Sequence, residues 1–242
     1  MKTFDASIII PAYNEDSSIR NTLLLLSNLT DISLEVIVVV DSKTDSTAAT
    51  VTKAKSKPLS TRVLVQTYGG GPANAIRYGI DASNAKCVVV TMADGSDDVR
   101  SIPDLVNLVV RGVSIACASR YMSGGQQIGG PRFKKFLSKT AGKILFVFAG
   151  VGTHDPTNSY KAYSRAFISS VGIESRTGFE IGIELVAKAR RHRLPIAEIP
   201  TIWLDRTAGT SRFNLAKFAP KYLRWFFYSF GPTLELQENR NG

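Results

Sequence analysis

With 242 residues, 44% of them hydrophobic, the chain can bury a substantial core in one large α/β domain or two small ones. No run approaches the roughly 18 apolar residues of a membrane-spanning helix, the best stretch being Ile144 to Val151, and the two cysteines, Cys87 and Cys117, sit in apolar runs that predict buried free thiols rather than a disulfide or metal site. The formal net charge of +10 is uneven: residues 1–121 hold 12 Lys/Arg and 12 Asp/Glu, residues 122–242 hold 18 and 8, so an anionic partner is expected on the second half.

In chain order, Met1 to Asp5 carry no leader pattern, which predicts a cytoplasmic working compartment. Strands are then predicted at Ala6–Ile10, Glu35–Val40, Arg62–Gln66 and Cys87–Met92, alternating with helices near Ser17–Leu29, Ser46–Lys55 and Pro72–Ser83. Short β-branched runs between helical segments predict an α/β fold with a mostly parallel sheet covered on both faces. A helix near Pro103–Arg111 and a strand at Ser114–Ser119 follow, and glycine-rich Ser123 to Gly130 reads as a mobile loop where a subdomain changes. Beyond it are predicted a basic helix over Arg132–Val147, a polar turn at His154–Ser159, a strand around Tyr160–Tyr163, a helix over Glu180–Arg191, a strand over Ile196–Trp203 and a last helix over Leu215–Phe230. The resulting division is a first half (1–121), a second half of the same domain (122–212), a C-terminal amphipathic helix (213–236) and a flexible tail (237–242).

Ligands bind beyond the carboxyl ends of strands in such sheets. Four polar clusters stand there: Tyr13-Asn14-Glu15, Asp41 to Asp45, Gly69-Gly70-Gly71 and Asp94 to Asp98. The stretch Met92 to Asp98 reads in two ways, as oxygen ligands for a hard divalent cation or as a turn and helix cap. Gly69 to Arg77 lacks both the Walker and the dinucleotide fingerprints, and reads as a simple loop or as backbone approaching a ligand. His154 and His192 are too far apart to suggest a metal site.

Taken in order, these segments resemble glycosyltransferase family 2, and within it the dolichyl- and polyprenyl-phosphate mannose and glucose synthases. The likeness runs from Ile8 to about Phe230. It comprises Ile8-Ile9-Ile10-Pro11-Ala12-Tyr13-Asn14-Glu15, then Val40-Asp41 to Thr47, the Gly69 to Gly79 stretch and Met92-Ala93-Asp94. Ala118-Ser119-Arg120-Tyr121, Asp155-Pro156 to Tyr163, Gly178-Phe179-Glu180 and Arg206 to Arg212 complete it. Val40 and Met92 stand where the family has aspartates. The resemblance implies a GT-A fold in which residues 1–121 are the nucleotide-sugar-binding half and 122–212 the acceptor-side half, with a donor site formed by Pro11, Ala12, Tyr13, Asn14, Glu15, Asp41, Gly71, Arg77, Ala93 and Asp94. It implies Mg2+ or Mn2+ on Asp94, helped by Ser96 or Asp97, and catalytic roles for Asp94, Arg120 and Arg206. An acceptor phosphate would meet Arg120, Arg132, Lys134 and Ser138, with Lys135 nearby. The reaction implied is inverting transfer of a hexose, mannose or glucose, from a GDP- or UDP-linked donor to a polyprenyl or dolichyl phosphate.

A lipid phosphate is already anionic and needs positioning more than deprotonation, whereas a saccharide acceptor requires a carboxylate base. Asp97 and Asp155 are the candidates for that base in the rival reading, a polysaccharide or cell-wall transferase. A non-catalytic nucleotide-sugar-binding protein is the alternative of another class. No nucleic-acid recognition motif is present. In the last helix Lys217, Lys221 and Arg224 lie among Phe218, Tyr222, Trp225 and Phe226, which suits a peripheral position on the cytoplasmic face of a membrane, alone or beside a separate membrane-spanning protein. Pro220 is expected to bend or break that helix.

Overall fold

The computed structural model describes residues 3–54, 59–205 and 215–236, with backbone alone for 215–217. Arg206 and the tail 237–242 lie outside the described residues.

Seven strands form one sheet in the order β3-β2-β1-β4-β7-β5-β8. They are β1 (Ala6–Ala12), β2 (Leu34–Val40), β3 (Ser60–Val65), β4 (Cys87–Val90), β5 (Ile115–Ser119), β7 (Lys161–Ser164) and β8 (Ile196–Pro200). Every pairing is parallel except those of β7, which runs antiparallel between β4 and β5. Every residue of β1 and β2 is buried, as the two-sided burial of a parallel sheet requires. The period of two divides each strand between two cores. Ile8 and Ile10 pack with α1 (Ile19–Ser27), α2 (Ser46–Lys53) and α4 (Ile102–Val110). Ile9 packs with α3 (Pro72–Ala82), α6 (Arg165–Val171), α7 (Ile181–Arg191) and Trp225 of α8 (Leu215–Tyr228). Close approach of α3 to this face depends on Gly79, where a Cβ would stand 2.6 Å from Ile9 Cγ2.

The glycine-rich segment after β5 is not merely a loop. It contains β6 (Gln126–Ile128), which pairs in parallel with β9 (Ile202–Leu204) in a separate ribbon. The single strand expected over Ile196–Trp203 is therefore two, and Thr201 is the switch point. Its N–H donates to Ser119 O of the main sheet (3.0 Å), and its carbonyl accepts from Gln126 N of the ribbon (2.9 Å). Helix α6, which has no counterpart among the predicted elements, begins where Ser164 Oγ accepts from Phe167 N. Helix α5 (Arg132–Ile144) runs on into a π-helical turn, Leu145–Ala149. Helix α8 continues through Pro220, which removes one N–H donor without ending the helix.

Candidate active site at the carboxyl ends of the strands

The loop after β1 is held by backbone donors that have no partners within the strand. Asn14 adopts φ +53°, and its N–H donates to both oxygens of Asp45 (3.1 Å each), while Glu15 N donates to Thr47 Oγ1 (2.9 Å). Asp45 also caps α2 by accepting from Thr47 N (2.9 Å), so one carboxylate sets both the Tyr13-Asn14-Glu15 loop and the helix behind it. Pro11 and Ala12 are the buried last residues of β1, and Tyr13 is exposed beyond them. Asp41, just past β2, accepts from Gln66 Nε2 (2.8 Å) and from Gly71 N (3.2 Å), which joins it to the glycine-rich segment. Asn74 donates to the carbonyls of Tyr68 and Gly69 (2.9 Å each), and its Oδ1 accepts from Arg77 Nη1 (3.1 Å). Gln66 and Asn74 carry no site role in the sequence, and Asp45 enters only as the end of the Asp41 to Asp45 cluster. For Asp45 the signal was present, an aspartate directly before Ser46-Thr47 at a helix start.

Gly71 has φ +114°, and a Cβ there would lie 2.4 Å from Thr177 O. Gly71→Ala therefore combines backbone strain with a clash against backbone. It is expected to cost about 2–4 kcal/mol by chemical denaturation and to weaken donor binding. A midpoint equal to that of the unsubstituted protein would show that Thr177 moves freely.

Past β4, Gly95 turns the chain at φ +72° and Asp94 Oδ1 accepts from Ser96 N (3.1 Å), leaving Asp94 partly exposed. Ser96 is buried and its carbonyl accepts from Leu204 N of β9 (3.0 Å). Asp97 is also buried: its Oδ2 accepts from Thr91 Oγ1 (2.9 Å) and Met92 N (3.1 Å). Burial pushes its carboxyl up to about 6, and the nearby Asp94 charge adds to that. Asp98 caps the following 3-10 turn and grips Arg100 Nε (2.7 Å). The cap reading and the ligand reading of this stretch thus fall on different residues. Among the described residues no three His, Cys, Asp or Glu side chains converge. The loop fits a hard cation held by the Asp94 carboxylate and completed by phosphate oxygens, rather than one caged by protein.

At the end of β5, mostly buried Arg120 and fully buried Asp155 form a bidentate pair: Nε to Oδ2 is 2.7 Å and Nη2 to Oδ1 is 2.9 Å. Burial opposes a charge on Asp155, but the Arg120 guanidinium outweighs it, helped by Lys161, and holds the carboxyl below the usual carboxylate range. Arg120 Nη2 also reaches Ser138 Oγ of α5 (3.4 Å), Ser138 bonds Thr157 (2.6 Å), and the guanidinium lies 4.9 Å from the Tyr121 ring centroid. Beneath the pair, fully buried Lys161 donates to the carbonyls of Asp155 (3.3 Å), Pro156 (3.2 Å) and Asn158, and burial pulls its ammonium group down from its ordinary value. In the sequence this lysine stands out only as a member of the Asp155 to Tyr163 motif, with no role of its own. Ser138 is thus brought to Arg120, Lys134 lies four residues earlier on the same face of α5, and Arg132 stands on the exposed first turn. Asp155 and Asp97, the two carboxylates considered as a base for a saccharide acceptor, are buried and engaged.

Helices α5 and α8 flank this site. Helix α5 and its π turn expose Phe133, Phe136, Leu137, Val147 and Phe148, and α8 exposes Leu223 and Phe227. Two of the three cations expected on α8 are engaged within the protein: Lys221 bonds Thr177 Oγ1 and exposed Arg224 pairs with Glu174 (2.5 Å), while the side chain of Lys217 lies outside the described residues.

Residues 7–172 match the family model described as glycosyl transferase family 2. The chain is 29% identical over 215 residues to the polyprenol monophosphomannose synthase of Mycolicibacterium smegmatis, covering 86% of this chain and 80% of that protein. It is 28% identical over 225 residues to a dolichol-phosphate mannosyltransferase of Pyrococcus furiosus, covering 91% of this chain but only 62% of that protein's length. Among solved structures it resembles glucosyl-3-phosphoglycerate synthase of Mycobacterium tuberculosis, crystallised with Mn2+, uridine diphosphate and phosphoglyceric acid. That likeness is one of fold, with a TM-score of 0.70 and 19% identity over 96% of this chain and 80% of that one.

Proposed function

The chain belongs to glycosyl transferase family 2, and from that premise we propose that it transfers a hexose, mannose or glucose, from a GDP- or UDP-linked donor to a polyprenyl or dolichyl phosphate at a membrane surface. The observation that carries the acceptor is the Arg120–Asp155 pair. On the acceptor side the buried carboxylate is locked to a guanidinium, so the site offers oriented cations, Arg120 with Lys134 and Arg132 along α5, where a sugar hydroxyl would need a base.

In the reaction so read, an oxygen of the acceptor phosphate attacks the anomeric carbon as the bond to the diphosphate breaks. The nucleoside diphosphate leaves and the configuration inverts. No proton need be moved, because the nucleophile is already ionised. Asp94 would hold Mg2+ or Mn2+, and the cation supplies charge neutralisation at the leaving diphosphate. The loop around Tyr13, Asn14 and Glu15, with Asp41, Gly71 and Arg77, holds the nucleotide, and Arg120 with Ser138 orients the acceptor phosphate. Arg206, outside the described residues, is assigned to the departing phosphates.

No helix of the described residues is long and apolar enough to cross a membrane. We assign peripheral attachment on the cytoplasmic face to α5 and its π turn, where exposed Phe133, Phe136 and Phe148 flank Lys139 and Lys143, and secondarily to α8. A separate membrane-spanning partner is compatible with that placement. The deciding experiment crosses GDP- and UDP-linked mannose and glucose with polyprenyl phosphate and soluble saccharides, with Mg2+ or Mn2+ present. Product on the lipid phosphate is expected, and activity confined to saccharides would overturn the acceptor assignment.

A further inference from the structure

The β6–β9 ribbon carries its hydrocarbon on the wrong side for an ordinary surface element. Its register pairs Gln126 with Ile202, Gln127 with Trp203 and Ile128 with Leu204. The alternation turns Gln127 and Trp203 inward, and it leaves Ile128 (51% exposed), Ile202 (38%) and Leu204 (49%), with Gln126 beside Ile202, on one outer face. Isolated exposed apolar residues need no explanation, but a contiguous apolar face does. The backbone edges of the ribbon are tied down: Lys135 Nζ bonds Gln127 O on one side (2.9 Å), and Leu204 N bonds Ser96 O on the other (3.0 Å). What remains for a partner is side-chain hydrocarbon.

We propose that this outer face seats on the surface of an anionic lipid bilayer, so that the ribbon is a membrane contact bordering the active site rather than part of its machinery. This rests on the lipid-phosphate reading above and adds to it a contact that neither amphipathic helix supplies. Charge complementarity selects the occupant. Residues 122–154, which include β6 and α5, contain five Lys/Arg and no Asp or Glu, and Phe133 and Phe136 are each 65% exposed on the helix that Lys135 ties to the ribbon. Apolar side chains beside these cations suit an anionic lipid surface; exposed Asp205, which follows β9, accepts from Gly130 N (3.1 Å).

The inner face connects that contact to the chemistry. Gln127 Oε1 accepts from Tyr121 OH (2.8 Å), against whose ring Arg120 stacks, and Trp203 bridges Asp97 through backbone. A membrane seated on the outer face therefore has Gln127 and Tyr121 between it and Arg120, with the Asp94–Asp98 loop bonded to the ribbon's edge at Trp203 and Leu204. A lipid phosphate would reach the site from the bilayer surface without being drawn far out of it.

The test is the combined Ile128→Ser, Ile202→Ser and Leu204→Ser variant, with Val110→Ser as control because Val110 is 73% exposed on α4. Partition onto phosphatidylcholine vesicles containing phosphatidylglycerol should fall on the order of tenfold in the triple variant and stay unchanged in the control. Transfer to a short-chain, water-soluble isoprenyl phosphate should be unaffected in both. Unchanged vesicle binding by the triple variant overturns the proposal. So does an equal loss with the soluble acceptor, which would make the ribbon part of the acceptor pocket, or a dimer that the substitutions dissociate, which would make the occupant a second copy. A measurement on the unsubstituted protein guards against misfolding: its two tryptophans are Trp203 in the ribbon and Trp225 in the core. Vesicles with brominated acyl chains should quench Trp203 emission, and bound protein without quenching overturns the seating. Absence of transfer to polyprenyl phosphate in detergent would instead sink the acceptor reading and leave the vesicle result standing.

Discussion

Asp94→Ala is expected to lower the rate of sugar transfer about a thousandfold with little change in stability. A cation at the departing diphosphate is worth several kcal/mol of charge stabilisation, and each ~1.4 kcal/mol is a factor of ten in rate. Because no three metal-ligating side chains converge among the described residues, protein elsewhere has little to substitute for this carboxylate. The fold depends on it weakly, since Asp94 is partly exposed and its bond to Ser96 N is worth about 1 kcal/mol. Single-turnover rates with saturating donor, alongside denaturation midpoints, separate the two effects. Transfer that is unchanged in the variant, or that survives strong chelation in the unsubstituted protein, would remove the metal from the mechanism.

Asp155→Ala should do the reverse, losing stability as well as activity. Removing the carboxylate leaves the Arg120 guanidinium buried without its partner, a change worth about 3–5 kcal/mol. The surviving folded protein should also show a raised KM for the lipid phosphate, because Arg120 is no longer held against Ser138. Asp155→Asn keeps hydrogen-bond acceptance and should fall between the two. The pair also predicts a pH dependence. The folded carboxyl lies below its unfolded value, so its contribution is complete above the ordinary carboxylate range, roughly pH 4, and is lost as pH falls through the lower folded value. Acid titration should therefore find a component of stability loss below about pH 4 that Asp155→Asn lacks. Identical acid profiles for the two proteins would mean that the pair does not hold in solution.

The sheet was readable in the sequence because buried parallel strands leave an unmistakable mark, as in the apolar run Val36 to Val40 of β2. The ends of those strands, and so the loops of the site, followed directly. The β6–β9 ribbon was not readable, since three residues among glycines carry no period, and their strand character comes from pairing with residues 202–204 far along the chain. For the same reason Thr201 was invisible as a switch point. Asp155 and Lys161 were visible as residues of a motif but not as a buried ion-pair anchor and a carbonyl-gripping lysine, because burial of charge is a tertiary outcome. Asp97 shows the limit within a single segment: an acidic run signals oxygen atoms, but which of them face a cleft depends on where Thr91 and Met92 place their donors.

The position of β7 has a consequence for how such a chain can be assembled and divided. Residues 161–164 fill the gap between β4 and β5, two strands that precede them by dozens of residues. A nascent chain ending before that point would carry two raw edges facing each other across an empty slot, a template for aggregation. Closure of the slot waits on contacts of long sequence separation, which are slow to form. A cut near residue 121 should therefore yield two insoluble pieces rather than a donor module and an acceptor module. Recombination among relatives would then have to exchange the loops around this sheet and leave its strand order whole.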